Sequence, residues 1–197
     1  HFEYDYKISC TATVRRRLAV SSFRHITIRI STCGNIQNNG CILSLIAAEE
    51  IRKKVYYTGI ERYPLTMETV TKLDYPSLIG QERASDYFAI HEASWGEDTE
   101  LSPWFTLHKI EGDFTSYVFE KGYDIIYFDA FAPEKQPEMW EQSLFDNLYQ
   151  VLNEGGILTT YCAKGVVRRM LQAAGFIVER LPGPPGGKRE ILRATKK

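Results

Sequence analysis

Tyr123-Asp124-Ile125-Ile126-Tyr127-Phe128-Asp129-Ala130-Phe131-Ala132-Pro133 reads as a buried strand that ends on a carboxylate and turns at once. Five of the six residues from Tyr123 to Phe128 are aromatic or β-branched, the pattern of a strand covered on both faces. Asp129 then falls at the strand's carboxyl end, the edge at which open α/β sheets bind ligands. Position alone leaves a second reading open, in which Asp129 caps the turn that follows.

Working outward, a helix is expected over Pro137–Leu152, with Trp140, Leu144, Phe145, Leu148 and Val151 on one face. Gly155-Gly156 breaks it, and Ile157–Tyr161 is the next strand. A helix over Val166–Ala174 is stopped by Gly175. Strands at Phe176–Val178 and Glu190–Ala194 flank a Pro/Gly-rich loop. Upstream, Cys41–Lys54 has helical spacing and Val55–Ile60 is a strand closed by Glu61. Leu65–Leu73 starts a helix, and Pro76–Phe105 is irregular with short helices. Leu107–Ile110 is a short strand, and a short helix covers Thr115–Lys121. Within residues 1–40, Ile26–Ile30 alternates like a strand among basic and polar sequence. Alternation of strands and helices implies an α/β fold with a mostly parallel sheet. Two successive strands at the end imply an antiparallel hairpin.

The chain has 197 residues, 44% hydrophobic and 25% charged, enough for one domain with a sizeable core. No apolar run approaches a membrane span of roughly 20 residues, and His1–Asp5 lacks the apolar segment of a signal peptide. Cys10, Cys33, Cys41 and Cys162 form no C-x-x-C pair or zinc spacing, so reduced thiols, a cytoplasmic setting and no metal are expected. The net charge of −1 conceals an asymmetry: residues 1–40 carry +4, residues 41–163 carry −12 and residues 164–197 carry +7. A basic end on an acidic protein suggests an anionic partner such as nucleic acid, or simply a solvated tail.

Three acids, Glu61, Asp113 and Asp129, follow three expected strands. In a parallel sheet they line one edge. An acid after the second strand suits both ribose hydroxyls of a nucleoside cofactor, and Asp113 could accept from an adenine amine. Each could equally cap a helix. The candidate glycine-rich turn, Cys33-Gly34-Asn35-Ile36-Gln37-Asn38-Asn39-Gly40, holds no G-x-G, and Gly34 is its best candidate cofactor contact.

Asp129-Ala130-Phe131-Ala132-Pro133-Glu134-Lys135-Gln136-Pro137-Glu138-Met139-Trp140 resembles the D-x-F-[AS]-P-x-K-x-P-[DE]-[ML]-W signature of the MnmC-type methyltransferases. Gly59–Leu65, Gly155–Tyr161, Lys164–Arg169, Leu171–Phe176 and Gly187–Leu192 are similar to further family segments. The resemblance covers residues 41–197 and implies a class I S-adenosyl-L-methionine (SAM) methyltransferase sheet, Rossmann-like, with a C-terminal antiparallel hairpin. It implies SAM as cofactor, with Glu61 at the ribose, Asp113 on the adenine side and Asp129 beside both the transferred methyl and the substrate amine. The acceptor it implies is the aminomethyl group of a modified wobble uridine in tRNA. Phe131 and Tyr161 would face the substrate, and Lys135, Lys164, Arg168, Arg169, Lys188 and Arg189 the RNA phosphates. Some family members carry a fused flavin-dependent oxidoreductase domain; a separate FAD-dependent oxidoreductase acting on the same nucleoside is the expected partner here.

The resemblance stops at Cys41. The family's E-x-G-F-G-T-G-x-N loop has no counterpart in residues 1–40, which read as an atypical segment from a shifted frame or a replaced start. That departure supports a second reading, a non-catalytic domain with weak or no SAM binding. A third, an NAD-binding oxidoreductase, is disfavoured by the missing G-x-G-x-x-G.

Overall fold

The computed structural model describes residues 28–33 (backbone only), 40–73, 75–183 and 190–197. Eight strands form one sheet: β1 (Ile28–Cys33), β2 (Val55–Glu61), β3 (Asp98–Ser102), β4 (Phe105–Glu111), β5 (Tyr123–Tyr127), β6 (Leu152–Thr160), β7 (Ile177–Pro182) and β8 (Glu190–Thr195). Their spatial order is β3-β4-β2-β1-β5-β6-β8-β7. Strands β4, β2, β1, β5 and β6 run parallel, while β3 pairs antiparallel with β4, and β8 pairs antiparallel with both β6 and β7. The sheet draws a middle strand from ahead of Cys41: β1 contains Ile28–Ile30 of the expected Ile26–Ile30 strand, whose first two residues lie outside the described ones, and is flanked by β2 and β5.

The helices are α1 (Gly40–Ile51), α2 (Met67–Lys72), α3 (Pro76–Ile79), α4 (Ala84–Glu92), α5 (Gln142–Val151) and α6 (Gly165–Ala173), with 3-10 turns at Gln81–Arg83 and Pro137–Trp140. The period-2 alternation of β5 divides the core. Ile125 and Tyr127 pack with α1 and α4, while Ile126 and Phe128 pack with α5 and α6. Phe128 is fully buried, and its ring lies 5.1 Å from Trp140, 5.4 Å from Phe145 and 5.9 Å from Phe114.

Four expectations change. The stretch before Phe105 holds β3, an edge strand paired through Asp98↔His108 and Glu100↔Thr106. The helix expected over Thr115–Lys121 is absent, because the Asp113 carboxylate accepts from the Thr115 backbone and hydroxyl and winds that segment into a turn. The helix expected from Pro137 opens as a 3-10 turn, and α5 starts at Gln142. Gly155-Gly156 does not separate helix from strand. It lies within β6, where the register to β5 jumps from Tyr123↔Leu152 to Ile125↔Ile157 and Gly155 takes φ 70°. A Cβ on Gly156 would stand 2.7 Å from the Asn153 carbonyl oxygen, so glycine is required there.

Lys109 on β4 is buried, 1% exposed. Its ammonium donates to the His91 carbonyl at 2.7 Å and sits 4.5 Å from the Trp95 ring centre. The cation thus closes the carboxyl end of α4, where the helix dipole favours positive charge. Burial pulls its pKa below the ordinary lysine value. Burial, then the Lys109 charge, push half-buried His91 down to about 4. The unfolded chain therefore takes up a proton near pH 6.5 that the folded one refuses until about pH 4, so stability falls as the pH drops through that window. Allowing for partial solvent screening, the loss is about 1–2 kcal/mol. Urea unfolding at pH 7 and pH 4.5 measures it, and His91→Gln should flatten the pH slope by that amount.

Candidate cofactor and methyl-transfer site

The parallel strands bring their carboxyl ends to one edge. Cys33 pairs with Ile60, Glu61 with Glu111, Thr32 with Tyr127, and Tyr127 with Thr159. Glu61, Asp113 and Asp129 therefore all reach the same edge, two on one side of β1 and one on the other. A ligand spanning the β1 end would meet acids on both flanks.

Glu61 is the final residue of β2 and 6% exposed. Its Oε1 accepts from the Tyr63 backbone N–H at 2.8 Å, and its carbonyl accepts from Gly112 at 3.0 Å. A buried carboxylate at a strand end, in a fold with an open edge, has the acceptor chemistry to receive two ribose hydroxyls. Asp113 is more committed. Its Oδ1 receives Thr115 N and Oγ1, its Oδ2 pairs with Arg62 at 2.9 Å, and the Thr115 hydrogen bonds lead in holding its pKa below the usual carboxylate range. Its expected place beside adenine would rest on exchanging one of those partners.

Asp129 lies two residues beyond β5 and is half-buried. The chain leaves the sheet after Phe128, whose N–H donates to Thr159 at 2.8 Å. The following segment is tethered from three sides. Tyr161 Oη donates to the Ala130 carbonyl at 2.6 Å, Trp140 Nε1 donates to the Phe131 carbonyl at 2.8 Å, and Lys164 forms an ion pair with Glu134. Phe131 projects outward, 69% exposed.

The expected phosphate contacts divide. Lys164 is held by Glu134 at the start of α6. Lys135 and Arg169 are exposed, and Arg168 is partly covered. On β7 and β8 the arginines face partners across the pair, Arg180 with Glu190 and Arg193 with Glu179. Gly34, Lys188 and Arg189 lie outside the described residues. Lys109 and Trp95 were missed as a pair, since no local pattern marks a strand lysine as buried. Among the described residues there is no cluster of three metal-ligating side chains and no helix long and apolar enough to cross a membrane.

Residues 100–197 match the model of a family described as S-adenosyl-L-methionine-dependent methyltransferase. The "tRNA 5-methylaminomethyl-2-thiouridine biosynthesis bifunctional protein MnmC" of Cupriavidus metallidurans is 32% identical over 152 residues, covering 72% of this chain and 22% of that protein. Its namesake from Leptospira borgpetersenii is 32% identical over 179 residues, covering 80% and 27%. The chain belongs to the MnmC-type methyltransferase family. It spans about a quarter of the length of these relatives. Among solved structures, MnmC2 from Aquifex aeolicus superposes with TM-score 0.69 at 20% identity, over 99% of this chain and 60% of that one. SAM-bound CalS10, an amino pentose methyltransferase from Micromonospora echinaspora, gives TM-score 0.54 at 13% identity, over 96% and 91%. Both show the class I methyltransferase fold, and SAM is the family's cofactor.

Proposed function

We propose that this MnmC-type chain is a SAM-dependent N-methyltransferase acting on the aminomethyl group of a modified wobble uridine in tRNA. The observation that carries the reading is Asp129, set by β5 at the sheet's ligand edge on a tethered loop, across β1 from buried Glu61. Glu61 would hold the cofactor ribose. SAM, when bound, supplies an electrophilic methyl group. The protein's own residues align the acceptor with it, a contribution of several kcal/mol. The attacking amine must be neutral and gives up a proton as its new N–C bond forms. The Asp129 carboxylate can orient that N–H and take up the proton.

The relatives' name, a bifunctional protein of tRNA 5-methylaminomethyl-2-thiouridine biosynthesis, supports this acceptor. The partner we propose, from the family resemblance, is a flavin-dependent oxidoreductase acting on the same nucleoside. The test is transfer of labelled methyl from SAM to tRNA whose wobble uridine carries an unmethylated aminomethyl group. Transfer to that tRNA and not to unmodified tRNA supports the proposal; no transfer to either refutes it.

Glu61→Gln provides a check on the cofactor half. Glutamine keeps an acceptor for Tyr63 N–H but loses the charge that strengthens hydrogen bonds from hydroxyls. Loss of about 1.5–3 kcal/mol is expected, a rise of roughly ten- to a hundredfold in the Kd for S-adenosylhomocysteine. Calorimetric titration reads it; an unchanged Kd would remove Glu61 from the site.

A further inference from the structure

The two peptide groups on either side of Phe131 are each fixed by a different aromatic side chain. The Ala130 carbonyl belongs to the peptide preceding Phe131, and Tyr161 Oη from the end of β6 donates to it at 2.6 Å. The Phe131 carbonyl belongs to the peptide following it, and Trp140 Nε1 donates to that at 2.8 Å. The next carbonyl, of Ala132, accepts from Lys135 N at 2.7 Å and Gln136 N at 3.1 Å. With both flanking peptide planes held, φ and ψ of Phe131 are set, and so is the direction of its Cα–Cβ bond. Trp140 is 5% exposed and packs on Phe128, so its anchor is rigid.

Phe131 itself makes no use of this rigidity for packing, since 69% of it is exposed. An exposed phenylalanine on a fixed backbone has already lost the conformational entropy that binding would otherwise cost. A flat apolar ring presented this way, beside exposed Lys135 and at the ligand edge, fits the face of an unpaired nucleobase. We infer that Tyr161 and Trp140 are positioning residues that hold Phe131 as a stacking face for a base of the RNA substrate. This rests on the tRNA reading above and assigns Tyr161 to the loop rather than to the substrate.

Stacking of one base on an aromatic ring contributes about 1–3 kcal/mol. Phe131→Leu should therefore raise KM for the tRNA about 5- to 150-fold. Phe131→Trp should restore it, and the Kd for S-adenosylhomocysteine should stay unchanged in both. Tyr161→Phe keeps the ring and removes only the donor to Ala130. It should raise KM for tRNA by a smaller factor, about three- to tenfold, the range of one lost hydrogen bond. In the Phe131→Leu background the same change should add less than twofold, because Tyr161 acts through Phe131. A stem-loop RNA with 2-aminopurine at the wobble position gives a direct signature: quenching on binding to the wild type, and fluorescence recovered with Phe131→Leu. Equal KM values for wild type and Phe131→Leu overturn the inference while leaving the methyltransferase reading intact. Additive effects of the two substitutions overturn the positioning role. A wild-type protein that methylates no tRNA takes down both readings.

Discussion

Asp129→Asn lowers kcat for methyl transfer by about 10²–10⁴-fold, the range for removing a positioned general base. The substitution keeps the size of the side chain and one acceptor oxygen, so the loop held by Tyr161, Trp140 and Lys164 should stay in place. In the proposed role, what it removes is the negative charge that would lie beside the acceptor amine and the site for its proton. The loss should appear in kcat more than in KM for tRNA, since alignment of the substrate survives while the proton acceptor does not. Single-turnover transfer from labelled SAM isolates the chemical step from product release. A rate within threefold of wild type would show that the proton leaves to solvent and that Asp129 only shapes the loop.

Phe128→Ala costs about 3–5 kcal/mol of stability, out of a total of roughly 5–15 for a domain of ordinary stability. Phe128 is fully buried where Phe114, Trp140 and Phe145 meet. Truncation opens a cavity lined by large rings that cannot easily collapse. Phe128→Leu retains most of the volume and should cost about 1.5 kcal/mol or less. Urea unfolding of the three proteins measures both numbers; a cost under about 1 kcal/mol for alanine would mean that the aromatic cluster repacks. Because Phe128 precedes Asp129 and touches Trp140, catalysis should fall more steeply than stability alone explains.

Where sequence and structure agree, the agreement has a physical source. β5 was legible because both its faces are buried, which forces Ile125, Ile126, Tyr127 and Phe128 to be apolar together. The edge position of Asp129 followed from that strand. β3 was not legible because it is an edge: Asp98-Thr99-Glu100-Leu101-Ser102 carries no apolar alternation, and pairing with β4 chooses its conformation. Asp98 bonds His108 and Glu100 bonds Lys54, contacts that only the folded chain brings together. Lys109 was hidden for a related reason. Its burial depends on the helix end at His91 and the ring of Trp95, distant in sequence from any pattern a strand could show. In the site, Glu61 and Asp129 were legible as acids at strand ends. The loop tethers were not, because they join groups 9, 30 or 31 residues apart.

The order of strands at one side of the sheet sets a schedule for folding. β7 is made before β8, yet β8 lies between it and β6. Until residues 190–195 arrive, β7 has no place to attach and the outer edge of β6 stands open, with buried Ile157 and Leu158 behind it. The β1–β5 pairing likewise joins Ile30 to Ile125, across nearly half of the chain. A sheet completed by such late and distant insertions folds slowly and passes through states with an unpaired strand edge, the form most open to intermolecular pairing.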